Sequence, residues 1–190
     1  MWPWGHAAVG YLLYSAYTRT RHDSPPEAIA VLFLAVGTQF PDLIDKPLAW
    51  SFGLLPTGRT LAHSLLFAVP VTLAVYLVCV YHPRLRRSWG GAFALGNILH
   101  VLVDAVPAFL WADLSDASSL LWPILSVDGY ENGSPSIIGA FLSLEFSNYL
   151  LFEFVLVAVA IFLWWVDDRP GLSVVLGWLR APIDRIRAKG

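Results

Sequence analysis

Long apolar segments dominate this sequence and restrict the folds open to it. A helix needs about 17 to 25 residues to span the hydrocarbon core of a membrane. Five segments approach or reach that length: Trp2–Thr18, Glu27–Phe40, Thr60–Tyr81, Trp89–Leu110 and Ser147–Val166. The first two are short, and the second suffices only if its helix continues into the Pro41-Asp42 region or is partly shielded by protein. With 57% hydrophobic and 14% charged residues, the chain is predicted to be an all-α, multi-pass transmembrane helical bundle of about five spans, with four as the alternative.

Basic residues between these segments predict the orientation of the chain. Ten of the twelve lysines and arginines follow the first, third or fifth segment, and only Lys46 and Arg59 lie elsewhere. With five spans the ten lie on one side, and because basic loops stay in the cytoplasm, we predict an outer N-terminus and a cytoplasmic C-terminus. Membrane lipids are the expected partners. A net charge of -2 without a basic patch argues against nucleic acid.

The last part of the chain has a different pattern. Apolar residues recur at helical spacing from Leu172 to Ile186 among arginines, which predicts an amphipathic helix on the cytoplasmic membrane surface. We therefore divide the chain into a transmembrane domain, residues 1–168, and a cytoplasmic tail, residues 169–190. The longest connection, residues 111–146, is acidic and contains the turn signal Asn132-Gly133-Ser134-Pro135. It falls on the predicted outer side, where it can cap a site.

Ionisable side chains within or beside the apolar segments gather toward one membrane face. Such a group costs roughly 2.5 to 3.5 kcal/mol within a span, so it usually has a partner or a function. On the predicted topology the outer group comprises His6, Asp42, Asp45, Arg59, His63, His100 and Asp104. Asp42 and Asp45 form an i,i+3 pair, whereas Arg59/His63 and His100/Asp104 form i,i+4 pairs. Each pair is therefore expected to project from one helical face.

The balance of charge in this group favours a metal site over a plain network of ion pairs. With neutral histidines, three aspartates against Arg59 leave two negative charges, which one or two divalent cations would balance. Imidazole and carboxylate ligands without a thiolate suit zinc, with manganese or iron as alternatives.

Each pair taken alone has a simpler interpretation. A His-x-x-x-Asp pair is often only a hydrogen bond, Pro41-Asp42 can be a helix-end turn, and Arg59 can extend toward the headgroups. The convergence of three histidines and three aspartates favours the metal interpretation. Glu153, inside the fifth segment, is a further candidate to join the cluster or to pair with Arg59.

Short blocks of sequence carrying these residues occur in a fixed order: Trp4–His6, Gly37–Asp45, Gly58–Ser64, His100–Asp104 and Leu121–Pro123. Together they resemble the YdjM-like family, described as LexA-regulated, membrane-bound, metal-dependent hydrolases. The resemblance covers the first two-thirds of the chain, and the ordered set is much more specific than any single block.

The order His, Asp, His and His-x-x-x-Asp is also similar to the metal-ligand order of zinc-dependent phospholipase C and the related single-strand nucleases. These are helical enzymes that cleave phosphoesters. The similarity implies one metal held by Asp42, His63, His100 and Asp104, and a second held by His6 and a shared Asp104. The later ligands of the soluble enzymes, a His and a His-x-x-x-Glu motif, have no counterpart here.

These residues lead to the hypothesis of a membrane-embedded, metal-dependent hydrolase acting on a phosphoester of a lipid or envelope component at the outer face. Asp45 would orient or deprotonate a metal-activated water, and Arg59 would bind an anionic oxygen. One alternative is a non-catalytic metal-binding or transport protein, although the apolar inner halves of the spans argue against transport. Another is a structural membrane protein whose polar groups fix helix packing.

Overall fold

Helices are the only regular secondary structure in the part of the chain that the computed structural model describes, residues 1–110, 116–130, 136–142 and 144–187. No strand occurs in these ranges, which confirms the all-α prediction. In chain order the elements are α1 (Pro3–His22), α2 (Ala28–Lys46), a π-helical turn (Pro47–Ser51), α3 (Leu65–Tyr81), α4 (Arg87–Leu110), a 3₁₀ turn (Asp116–Leu121), α5 (Ile137–Leu142), α6 (Asn148–Val166) and α7 (Leu172–Arg187).

The prediction of about five spanning helices is wrong. Within the described residues, three helices are long and apolar enough to cross a membrane: Ala28–Ser51, Arg87–Val106 and Asn148–Val166. α1 has 20 residues, but its last two turns are polar and include Arg19 and Arg21. α3 is apolar but has only 17 residues.

The predicted second segment is longer than its apolar sequence suggested. α2 continues through Pro41 to Lys46, and a π-helical turn extends it to Ser51. The condition set for this segment, continuation into the Pro41-Asp42 region, is therefore met. As a result Asp42 and Asp45 lie on the last turns of α2, in agreement with their predicted i,i+3 spacing on a helix.

α3 is short because the chain before it is not helical. The helix predicted from Thr60 begins at Leu65. The Asp45 carboxylate accepts hydrogen bonds from the backbone N–H groups of Thr60, Ala62 and His63 at 2.8, 2.8 and 3.2 Å. Backbone amides directed at a carboxylate are unavailable to a helical ladder. This segment therefore wraps around Asp45 as an irregular loop.

α2 and α4 pack backbone against backbone at two glycines. A Cβ placed on Gly37 would lie 2.4 Å from the carbonyl oxygen of Phe93, and one on Gly96 would lie 2.6 Å from that of Leu34. A side chain at either position would push the helices apart, and small residues are the usual means of close helix approach in membranes. The contact brings His100, one turn after Gly96, against α2.

Asp167, directly after α6, ties that helix to α1. The hydroxyls of Tyr11 and Ser15 donate hydrogen bonds to one Asp167 oxygen at 2.6 and 2.7 Å. Arg19 forms an ion pair with the other oxygen. Burial raises the pKa of the Asp167 carboxyl, but these three donors outweigh it and hold the pKa below its usual value. The carboxylate thus stays charged at neutral pH and joins α1 to the end of α6.

The helices form a bundle with two chemically different ends. At one end, Arg86 in the turn before α4 pairs with Glu27 at the start of α2 at 2.9 Å. The end of α1, with His22, borders the same region. The opposite end holds the start of α1, the last turns of α2 and the second half of α4. The arginine-rich segments and the predicted metal ligands therefore lie at opposite ends of the molecule.

Several predictions fall outside this description or stay predictions. The C-terminal helix exists as α7, but its amphipathic placement on a membrane surface, the domain boundary at residue 168 and the orientation of the termini remain predictions. Residues 111–115, 131–135 and 188–190 lie outside the described ranges, and with them Asn132-Gly133-Ser134-Pro135 of the acidic connection.

The exposed surfaces of α3 and α6 are apolar. Val78 of α3 and Phe162 of α6 are 55% and 70% exposed, and each has exposed apolar neighbours on its helix. Large contiguous apolar surfaces of this kind are rare on water-soluble proteins. These two helices therefore present surface suited to lipid.

Substitution of Gly96 by alanine tests the α2–α4 contact. We expect Gly96→Ala to lower the free energy of unfolding by about 1 to 3 kcal/mol, because the new methyl group meets backbone. Thermal unfolding in detergent, followed by circular dichroism, measures the change. The matched control is Gly91→Ala on the same helix, where a Cβ meets nothing within 4 Å. Equal stability of the two variants would contradict the packing argument.

Candidate metal centre

Four buried side chains from three parts of the fold converge at one point. Asp42 comes from α2, His63 from the loop before α3, and His100 and Asp104 from α4. Each offers one ligand atom, and the four atoms lie within 4.8 Å of one another. These are the residues that the resemblance to phospholipase C assigned to a first metal. The group can hold a metal ion.

The distances between the four ligand atoms suit a small ion. His63 Nε2 lies 3.1 Å from His100 Nε2. Asp42 Oδ1 is 3.6 and 3.7 Å from these two nitrogens, and Asp104 Oδ2 is 3.6 and 3.9 Å from them. Around a tetrahedral zinc with bonds of 2.0 to 2.1 Å, neighbouring ligand atoms are about 3.3 Å apart. The five distances bracket that value.

Hydrogen bonds on the far side of each ring define which histidine nitrogen faces the centre with a lone pair. His100 Nδ1 lies 2.6 Å from the carbonyl oxygen of Thr38, which can only accept a hydrogen bond. His63 Nδ1 lies 2.8 Å from Asp45 Oδ2. We therefore assign the proton to Nδ1 in both rings, which leaves both Nε2 lone pairs directed at the centre. Metal-binding histidines usually have this arrangement.

The centre contains more electron-pair donors than the surrounding protein satisfies. Two lone pairs would face each other across 3.1 Å between His63 and His100, an arrangement that requires a metal ion or a shared proton between them. Asp42 Oδ1 is buried and has no hydrogen-bond partner among the described residues. Buried acceptors without partners are rare in native proteins and call for an explanation such as an ion. A divalent cation would satisfy all three atoms at once.

Asp45 supports the centre from behind and does not face it. Its side chain is completely buried, and its two oxygens accept three backbone N–H groups and contact the His63 ring. Arg59 and His63 were predicted to share a helical face, but both lie in the irregular loop around Asp45. The sequence thus predicted correctly that Arg59 and His63 lie near the centre, but the helical spacing on which this prediction rested is absent.

Three positive groups surround the aspartates, whereas the sequence argument counted one. Lys46 pairs with Asp42, and Arg59 Nε lies 3.1 Å from Asp104 Oδ2. The Met1 amino group lies 2.7 Å from Asp104 Oδ1. The predicted excess of two negative charges is therefore wrong, and the metal interpretation rests on the lone pairs. The i,i+4 spacing of Asp42 and Lys46 was the signal that could have revealed the omitted cation.

His6 lies beside the four-residue group. Its ring stacks on that of His100 with centroids 3.7 Å apart. Its Nε2 is 3.1 Å from Asp104 Oδ1. Neither ring nitrogen has an aligned hydrogen bond within the described part of the chain. All seven residues predicted from the sequence therefore gather here, but His6 and Asp104 Oδ1 form a separate, smaller pair of donors.

Glu153 of α6 does not form the ion pair suggested for it. Arg59 pairs with Asp104 instead. Glu153 is completely buried, and its Oε1 accepts a hydrogen bond from the backbone N–H of Trp2 at 3.0 Å. Its contribution is to hold the start of α1 against α6.

With this geometry established, the family of the chain follows from a single match. The family model of the YdjM inner membrane protein matches residues 1–179. The chain belongs to the YdjM inner membrane protein family. No curated protein and no solved structure matches it. The YdjM relationship predicted from the sequence is thus confirmed, whereas the distant similarity to phospholipase C stays a prediction.

A cavity of about 1160 Å³ opens beside the cluster of this YdjM family member. His63 and Asp104 reach its wall, so part of the cluster borders the open space. Lys46 and Arg59 provide positive charge nearby, and the Arg59 side chain is 48% exposed. Trp50 contributes apolar surface. The cavity can therefore admit a molecule with both an anionic and an apolar part.

Two hydrogen-bonded contacts tie described residues after α4 to the stretch of chain between Trp50 and Ser64. The Tyr130 hydroxyl accepts hydrogen bonds from Trp50 Nε1 and from the Gly58 backbone N–H at 3.0 and 3.1 Å. Ser64 donates to the carbonyl oxygen of Trp122 at 2.6 Å. Ser64 thus has a structural partner.

Removal of the Asp45 charge tests its support of His63. We expect Asp45→Asn to weaken zinc binding by about 10- to 100-fold, the usual cost of losing a group that orients a metal ligand. Competition with a chelating dye in detergent measures the affinity. Asp23→Asn, at the basic end of the bundle, is the matched control and should bind zinc like the wild type. An unchanged affinity in Asp45→Asn that retains its helical circular dichroism would contradict the role.

Proposed function

We propose that this YdjM family protein is a membrane-embedded, metal-dependent hydrolase that acts on a phosphoester of a lipid or envelope component at the outer face. The observation that carries the proposal is the meeting of four ligand atoms within 4.8 Å, two of them histidine lone pairs, beside an open cavity. A buried cluster without access to a cavity would fit a purely structural ion equally well.

Zinc is the proposed ion, with manganese or iron as alternatives, because the donors are two imidazoles and two carboxylates without a thiolate. When bound, such an ion acts as a Lewis acid and lowers the pKa of a water molecule toward neutrality. Asp42, His63, His100 and Asp104 hold it in this proposal. His6 Nε2 and Asp104 Oδ1 form the proposed second, weaker metal site.

The cationic side chains at the cavity wall receive the substrate. Arg59 forms an ion pair with Asp104 through its Nε, and its half-exposed guanidinium lines the cavity. In this proposal the guanidinium binds an anionic oxygen of the phosphoester. Lys46 pairs with Asp42 and lines the same cavity. It therefore orients a ligand carboxylate while adding positive charge where a phosphoryl group would sit.

Asp45 has a positioning role in this proposal. The sequence suggested that it orients or deprotonates the attacking water, but both of its oxygens are engaged by backbone amides and His63. A carboxylate enclosed in this way stabilises the Nδ1–H form of the ring and its direction. It contacts a metal ligand and not the space in which substrate would bind.

The chemical character of the cavity supports a lipid or other amphiphilic substrate. Trp2, Trp50 and Val101 line it together with Arg59 and Lys46, so apolar and cationic surfaces adjoin. Pockets of about 300 to 1,000 Å³ accommodate most small ligands, and this cavity, at about 1160 Å³, slightly exceeds that range. A long apolar group and its phosphoryl headgroup fit such a space.

A structural role without metal is the second candidate, and one observation favours it. Lys46, Arg59 and the Met1 amino group together balance the charge of the three aspartates. A fully paired polar network can fix helix packing in a membrane. Without a metal, this alternative requires a proton shared between His63 Nε2 and His100 Nε2 across 3.1 Å, and metal analysis separates the two candidates.

Metal analysis of the purified, dialysed protein tests the site. We expect about one tightly bound ion per chain, and its loss in His63→Ala and in Asp104→Ala, because each removes one of four ligands. His22→Ala, an exposed histidine at the opposite end, should retain the ion, as should His6→Ala. Absence of metal from the wild type after purification in zinc-containing buffer would leave the structural candidate.

Hydrolysis of phospholipids tests the reaction and the role of Arg59. We expect release of phosphate or headgroup by the metal-loaded protein, and a kcat lower by about 10²- to 10³-fold in Arg59→Gln, the usual cost of losing one donor to a developing negative charge. Metal content should not change, since Arg59 is not a ligand. Arg21→Gln at the other end is the control. Wild-type turnover in Arg59→Gln would overturn the assignment.

A further inference from the structure

A second cavity lies at the opposite end of the bundle, away from the metal centre. Its volume is about 790 Å³, and it lies between the end of α1, the loop after it, the middle of α3 and the start of α4. Nothing in the proposed hydrolysis uses it. Its polar wall includes His22, Glu27, Arg86 and Arg87, so this region combines a cavity with clustered positive charge.

The charges in this wall do not cancel. Arg86 forms an ion pair with Glu27 at 2.9 Å, and Ser88 donates a hydrogen bond to the other Glu27 oxygen at 3.3 Å. Both oxygens of this carboxylate are therefore engaged. Within the described ranges no carboxylate lies within 4 Å of the Arg87 guanidinium. Arg87 thus supplies one uncompensated positive charge at the edge of the cavity.

The deeper wall of the cavity is aromatic and apolar. Tyr14 and Tyr17 stack with ring centroids 6.4 Å apart, and Tyr76 and Leu95 line the space with them. Leu95 lies eight residues after Arg87 on the same helix, which places it roughly 12 Å further into the bundle. The cavity is therefore charged at the bundle end and apolar toward the middle.

We propose that this cavity binds an anionic phospholipid, with its phosphate at Arg87 and one acyl chain along Tyr17, Tyr76 and Leu95. Basic pockets between membrane helices recognise acidic headgroups, and tyrosines commonly line the interface between headgroups and chains. A free phosphate would satisfy the arginine but would leave the apolar wall formed by Tyr17, Tyr76 and Leu95 uncovered. The two-part lining selects a lipid as the occupant.

The test uses the full chain in detergent and native mass spectrometry. We expect phosphatidylglycerol to remain bound and phosphatidylcholine to be lost at equal concentration. Arg87→Gln should weaken phosphatidylglycerol binding about fivefold, the contribution of one basic residue near an anionic lipid. Arg84→Gln is the matched control, since it removes the same charge three residues earlier, before α4, and Arg84 does not line the cavity. Both variants should unfold at the wild-type temperature without lipid.

Four results would overturn the assignment. Equal weakening in both variants would indicate a diffuse charge effect, and unchanged binding in Arg87→Gln would remove the arginine from the site. Equal retention of phosphatidylcholine would indicate an apolar groove without headgroup recognition. Displacement of phosphatidylglycerol by millimolar inorganic phosphate alone would indicate a site for the free anion. Zinc content is measured alongside and should not change, so failure here is separate from failure of the hydrolase proposal.

Discussion

The carboxylate of Asp45 is the interaction on which the candidate site depends most. It accepts three backbone N–H groups from the loop before α3 and contacts the Nδ1 of His63. One buried anion therefore determines the path of the loop, the point at which α3 begins and the nitrogen that His63 turns toward the centre. Its desolvation is offset because hydrogen bonds to a charged group are stronger than neutral ones.

The second requirement is the close contact of α2 and α4. Gly37 and Gly96 allow the two backbones to meet, and His100 then reaches the Thr38 carbonyl of α2 at 2.6 Å. The site thus has one ligand held by a loop that Asp45 organises and three held by a helix pair. Rigid elements on both sides are what a metal centre needs for defined geometry.

The sequence predicted which residues gather at the site better than it predicted how they do so. Segment lengths located α2, α4 and α6, and the cost of intramembrane charge identified all seven polar residues. The start of α3 was not predictable from local pattern, because a carboxylate 15 residues earlier in the chain captures the amides of Thr60 and its neighbours. The predicted number of spans was too high for two reasons. The loop around Asp45 shortens α3, and the last turns of α1 are polar. Lys46 was missed because it was counted only as a loop charge.

The contacts between Asp167 and α1 constrain the order in which the helices of the bundle can assemble. α1 is synthesised long before α6, yet it is less apolar than the three helices that are long and apolar enough to cross a membrane. Three of its residues, Tyr11, Ser15 and Arg19, all contact Asp167. That residue leaves the ribosome about 150 residues later. α1 therefore reaches its final packing only after α6 and Asp167 have been synthesised, so the bundle cannot be completed before that point.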